Sequence, residues 1–138
     1  MKLIIMRHAE ALPSVNGDLN RELSEYGIMQ AQNAAKTIQK YKIDKALVSY
    51  AKRTMQTAHI VMENAPTIDL EIVEEFYHGN YEDMMNIVSS QDSKYKTLLL
   101  IGHNPIISHF ALKVMQSDHP DYFFVSGRGM STAQIVIV

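Results

Sequence analysis

Three apolar runs in this chain show no alternation with polar residues, and each stops abruptly at groups that can do chemistry. Leu3-Ile4-Ile5-Met6 runs into Arg7-His8, Ala46-Leu47-Val48 closes on Ser49 with Arg53 one turn further on, and Leu98-Leu99-Leu100-Ile101 closes on Gly102-His103. A short unbroken apolar run is the signature of a strand buried on both faces, which occurs where helices cover both sides of a parallel sheet. In such sheets the ligand crevice lies just beyond the carboxyl ends of the strands. The three runs therefore predict one rim carrying two arginines and two histidines. Taken alone, Arg7-His8 reads first as an ordinary strand end that caps carbonyls or faces water.

The segments between the runs supply the helices. Ser24 offers an N-cap ahead of Ile28, Ala31, Ala34, Ala35 and Ile38, which predicts a helix over 25–40. Lys52 onward carries Met55, Ala58, Val61 and Met62 at helical spacing, with Pro66 just past its expected end. Ile68, Leu70 and Ile72 alternate with Asp69 and Glu71, as a strand near the sheet edge would. The stretch 74–80 reads as irregular, 81–89 as a helix, and Pro105 as the first residue of another helix. The tail over 132–138 reads as a final strand, with 123–125 as a candidate strand beside it. Strands alternating with helices predict an α/β fold: a three-layer α/β/α sandwich with a mostly parallel central sheet, formed by one domain over 1–138.

Composition narrows the partners. The net charge of -2 offers no broad basic face for nucleic acid or an anionic membrane, so any anion site must be a local cluster. With no cysteine, disulfides, thiolate metal sites and a cysteine nucleophile are excluded. There is no secretory-type leader and no apolar run approaching the roughly 20 residues that cross a bilayer, so a cytoplasmic location is expected.

Two guanidinium forks and two imidazoles form a cage suited to a dianionic phosphoryl group, whose transfer spreads charge over three equatorial oxygens. The six histidines show no His-x-x-x-His spacing, and His59, His78, His109 and His119 read as structural or surface residues. No metal or other cofactor is expected.

These blocks resemble a known family. Arg7-His8-Ala9-Glu10, the segment from Ser49 through Arg53 to Gln56-Thr57-Ala58, and Gly102-His103-Asn104-Pro105 are similar, in order, to the three signature blocks of the histidine phosphatase superfamily, with its phosphoglycerate mutase-like fold. Length and the segment Asp18-Leu19-Asn20-Arg21-Glu22-Leu23-Ser24 resemble its SixA-type phosphohistidine phosphatase branch. The resemblance implies that His8 is the nucleophile and becomes phosphorylated. It implies that Arg7, Arg53 and His103 bind the phosphoryl group, and that the partner is a phosphohistidine-containing protein such as a phosphorelay domain in signal transduction.

The proton donor separates substrate classes, because a departing imidazole needs far less help than an alkoxide. Asn104 stands where the acid phosphatase branch has an Asp. Glu75 occupies a position comparable to the acid of the mutase-like branch, although a solvated carboxylate accounts for it equally well. Asp18 is a second candidate for the site rim or for an acid. The span 81–101 has room for one helix and one strand and none for a covering insertion, which favours an open site for a protein substrate over an enclosed metabolite. The rivals are a small-molecule phosphate monoesterase using Glu75 and a phosphoryl-binding module without turnover.

Overall fold

The computed structural model describes residues 1–65 and 68–138, so the expected stop at Pro66 lies outside the described residues. Five strands form one sheet: β1 (Lys2–Arg7), β2 (Lys45–Ser49), β3 (Asp69–Val73), β4 (Thr97–Gly102) and β5 (Ile135–Ile137). Their order is β3-β2-β4-β1-β5, with β5 antiparallel to β1 and the other pairings parallel. The sheet is thus mostly parallel, as the unbroken apolar runs predict. The alternating strand takes the edge.

Period-two alternation divides each buried strand between two cores. Leu3, Ile5, Leu47, Leu98 and Leu100 face one layer, with Phe76, Met84 and Phe110. Ile4, Met6, Ala46, Val48, Leu99 and Ile101 face the other, with Ala31, Ala35, Ile38, Ala58 and Val61. The second layer comprises α1 (Glu25–Ile38) and α2 (Lys52–Val61), and the first contains α3 (Glu75–His78), α4 (Tyr81–Ser89), α5 (Ile106–Val114) and α6 (Tyr122–Arg128). Burying each large aliphatic side chain contributes about 1.5–3 kcal/mol, so the strand interiors are what fix the register. No helix among the described residues is long and apolar enough to cross a membrane.

Three details differ from the sequence reading. Residues 75–78 form a helical turn, because burying Phe76 folds the chain so that the amides of Tyr77 and His78 both reach the Glu74 carbonyl. Residues 123–125 belong to α6 and not to a strand: Val125 is buried and Tyr122 packs on the core three residues earlier, while Phe123 is 90% exposed. That i,i+3 burial overrides the β-propensity of the aromatic pair. Finally, α1 ends at Ile38 and α5 begins at Ile106, with Pro105 as the preceding cap residue.

Candidate functional site

The register of β1 and β4 builds the site. Arg7 pairs with Gly102, and the His8 amide donates to the Gly102 carbonyl at 3.0 Å. Two parallel strands that end level place the next residue of each, His8 and His103, side by side, with ring centroids 5.2 Å apart. On the other flank of β4, Val48 pairs with Ile101, so Ser49 comes level with Gly102. The Ser49 hydroxyl accordingly lies 2.8 Å from His103 Nε2. Arg53 enters from the first turn of α2, whose start is tied down by the Thr54 hydroxyl donating to the Ser49 and Ala51 carbonyls. His8, Arg53 and His103 are all buried. The structure brings the four rim residues together.

Hydrogen bonding sets the ring chemistry. His8 Nδ1 sits 2.6 Å from the Ala9 carbonyl oxygen, which can only accept. Nδ1 therefore carries the proton and Nε2 keeps its lone pair. Burial, with Arg53 and Arg7 adding to it, brings the His8 pKa down to about 4. Burial, followed by Arg53 and His8, brings His103 down to about 3. Both rings are neutral at physiological pH, and His8 is available as a nucleophile. Burial and then Arg53 also lower the pKa of Arg7. Among the described residues, the buried Arg7 Nε, Arg53 Nε and His103 Nδ1 have no hydrogen-bond partner. Buried groups of this kind usually find partners, and a tetrahedral oxyanion would supply them. No group of three or more His, Asp or Glu side chains among the described residues gathers to hold a metal.

Asp18 joins the rim through Arg53. Asp18 lies in a 3-10 turn (Asp18–Asn20), where its Oδ2 accepts from Arg53 Nη2 at 3.1 Å and from the Tyr77 hydroxyl at 2.5 Å. Its backbone carbonyl accepts from Arg53 Nη1 at 2.8 Å. The Tyr77 hydrogen bond, with Arg53 adding to it, lowers the Asp18 pKa to about 2. Glu75 is exposed at the start of α3. Two residues further along the same turn, the Tyr77 ring packs edge-on against His103, with centroids 5.4 Å apart.

Several contributors escaped the sequence reading. Tyr77 is one, and Ser49 gained its role only through the strand register. A third is the backbone after α6: the Met130 carbonyl accepts from Arg7 Nη1 at 3.0 Å and from Asn104 Nδ2 at 2.9 Å. The Ser108 hydroxyl anchors that segment, accepting from the Met130 amide at 2.9 Å. An Arg7 that finds its carbonyl 123 residues away has no local sequence signal. Away from the site, His119 is structural, lying 2.8 Å from the Ile137 carbonyl, whereas the exposed His78 meets the Tyr50 hydroxyl at 2.6 Å beside Tyr77.

Comparison with known proteins follows the same lines. The sequence model of the histidine phosphatase superfamily (branch 1) matches residues 3–114. A phosphohistidine phosphatase SixA homolog from Haemophilus influenzae is 25% identical over 139 residues, covering 90% of this chain and 83% of its own. Among solved structures, the protein histidine phosphatase SixA complexed with tungstate superposes with a TM-score of 0.84 at 24% identity, over 100% of this chain and 87% of the other. The alpha-ribazole phosphatase from Shigella flexneri gives 0.73 at 16% identity, over 99% and 89%. At these identities the structural likeness establishes the fold.

Proposed function

This chain belongs to the histidine phosphatase superfamily (branch 1), and from that premise we propose that it is a phosphohistidine phosphatase working through a covalent phosphohistidine on His8. The observation that carries the reading is the His8 tautomer. Nδ1 is committed to the Ala9 carbonyl, and Nε2 keeps its lone pair inside a cage of Arg7, Arg53 and His103, three side chains that each hold an unpartnered buried nitrogen.

In this reading His8 Nε2 attacks phosphorus in line while the three donors take the equatorial oxygens, where charge develops. The bond from phosphorus to the substrate nitrogen breaks and its electron pair leaves with the substrate. Water then attacks phospho-His8, releasing inorganic phosphate and restoring the ring. The cationic side chains supply the charge stabilisation, so no cofactor is invoked. The substrate class is a histidine-phosphorylated protein, such as a phosphorelay domain. The names of the SixA relatives support this, as does the short path from α3 to the second histidine, where 81–102 is taken up by α4, a turn and β4. Residues 1–138 act together as one phosphatase domain.

The test is rapid quenching of the wild type with a phosphohistidine protein carrying labelled phosphate. Acid-labile, alkali-stable label should appear on the enzyme and be missing from His8→Ala, with both variants showing the same circular dichroism. Turnover that survives in His8→Ala would end the proposal. Glu75→Gln should barely alter phosphohistidine turnover. If it cripples a strong monoesterase activity instead, Glu75 is a general acid and the substrate is a small phosphate monoester.

A further inference from the structure

We propose that Asp18 selects an imidazole leaving group, by accepting a hydrogen bond from the distal ring nitrogen of the substrate's phosphohistidine. The inference rests on the phosphatase reading above and names the residue that makes this site prefer phosphorus bound to nitrogen.

The chemistry of the leaving group sets the requirement. In an N-phosphorylated imidazole one ring nitrogen carries phosphorus, while the other carries a lone pair in the neutral form and a proton in the cationic form. Expulsion from the neutral form would release an imidazolate. Expulsion from the cation releases neutral imidazole, a far better leaving group. An ordinary imidazole has a pKa of about 6.5, so near neutrality the reactive cation is a minority unless something favours it. A carboxylate facing the distal N–H does so. The oxygen of an alkyl or aryl phosphate has no such second site.

Asp18 is built for that position. Its Oδ2 is held by Arg53 and Tyr77, whereas Oδ1 has only Arg21 Nη1 at 3.4 Å. One carboxylate oxygen is thus fixed and the other remains able to accept. The Asp18 side chain is 46% exposed while that of Arg53 is 7% exposed, so the carboxylate stands on the mouth side of a buried arginine. Beside it, Tyr77 packs on His103 and Tyr50 packs on Tyr77 with centroids 5.5 Å apart, an aromatic wall against which a planar ring can lie. A carboxylate on a phosphate-binding arginine opposes the dianion, so its favourable contribution lies with the leaving group. The Tyr77 hydroxyl and Arg53 keep it ionised throughout the working range.

The step balances without a proton transfer. The His8 Nε2 lone pair forms the new bond to phosphorus, the substrate's phosphorus–nitrogen bond breaks, and its electron pair stays on the proximal ring nitrogen. The distal proton remains in place, hydrogen-bonded to Asp18.

The test compares free phosphohistidine with p-nitrophenyl phosphate, using wild type, Asp18→Asn, Asp18→Glu and Tyr77→Phe. Asp18→Asn should lower the ratio of the two kcat/KM values by about 10–100-fold. It should also move the alkaline limb of kcat for phosphohistidine down by about 1–3 pH units, because kcat reports ionisation in the bound complex. Asp18→Glu should recover part of both effects, and Tyr77→Phe should show a smaller loss in the same direction. Equal losses on the two substrates, or an unmoved alkaline limb, would overturn the role of Asp18. A wild type that hydrolyses p-nitrophenyl phosphate and not phosphohistidine would sink the phosphohistidine reading as well. That result is distinct from an active wild type whose ratio Asp18→Asn leaves unchanged.

Discussion

Ser49 Oγ lies 2.8 Å from Nε2 of His103, and Ser49 is fully buried at the end of β2. A hydroxyl can donate to a neutral imidazole and accept from a protonated one, so this contact holds the ring through a change of charge. Ser49→Ala would leave a buried ring nitrogen without its partner. It should cost about 1–3 kcal/mol of stability by urea denaturation. The ring would also lose its orientation beside His8, and on the proposed phosphatase reading this should lower kcat roughly tenfold or more. Unaltered kcat in that variant would show that His103 is positioned by packing alone.

The two buried imidazoles make stability depend on pH. Their folded pKa values of about 4 for His8 and about 3 for His103 lie below the ordinary value. Between those values and about 6.5 the unfolded chain therefore binds more protons than the native one, and stability rises with pH. The contribution is complete above about pH 6.5 and is lost as pH falls towards 3. Denaturation midpoints should drop steeply from pH 7 to pH 4, and His103→Ala should flatten that slope. The same depression places the acid limb of kcat/KM below pH 6. A limb at the ordinary histidine value would mean that neither ring is as desolvated as its burial indicates.

The parts of the site legible from sequence are those that the backbone alone determines. An apolar run followed at once by Arg7-His8 or Gly102-His103 marks the carboxyl end of a buried strand, and parallel pairing brings such ends together whatever the loops do. Tyr77 and Met130 were not legible, because they arrive from α3 and the segment after α6, short elements that owe their form to Phe76 and Val125 finding the core. Neither has a period long enough to read. The turn of α3 shows the same limit: family resemblance points to Glu75 there and gives no sign of Tyr77, whose ring packs against His103. A backbone carbonyl such as that of Met130 leaves no mark on the sequence at all.

Arg53 gives a direct test of the cage. Nη1 and Nη2 are both committed to Asp18, and Nε is buried without a partner. A lysine cannot reproduce this fork, so Arg53→Lys should behave as a loss and not as a conservative change. We expect kcat/KM to fall by about 10²–10³, as when an oxyanion donor is removed. Inorganic phosphate should stabilise the wild type by about 2.7 kcal/mol at a hundred times its Kd, and Arg53→Lys should lose most of that shift. Retention of the full phosphate-induced rise in Tm would remove Arg53 from the binding set.

Gly27 couples the first helix to the strand end that carries His8. A Cβ built at this position would sit 2.0 Å from the Glu10 carbonyl oxygen, a backbone atom with nowhere to go. The contact is locked from both sides: the Ser24 amide donates to that same carbonyl at 3.0 Å, and the Glu10 amide donates to Gln30 Oε1 at 2.9 Å. Alanine favours a helix over glycine by about 1 kcal/mol, which would by itself stabilise the variant. Overpacking against fixed backbone costs about 1–3 kcal/mol or more, and at this separation it prevails. Gly27→Ala should therefore lower Tm. Because Glu10 lies two residues beyond His8, the displaced strand end should also reduce kcat while leaving far-ultraviolet circular dichroism intact. A variant more stable than wild type would show that α1 can shift away freely and that Glu10 does not fix the position of His8.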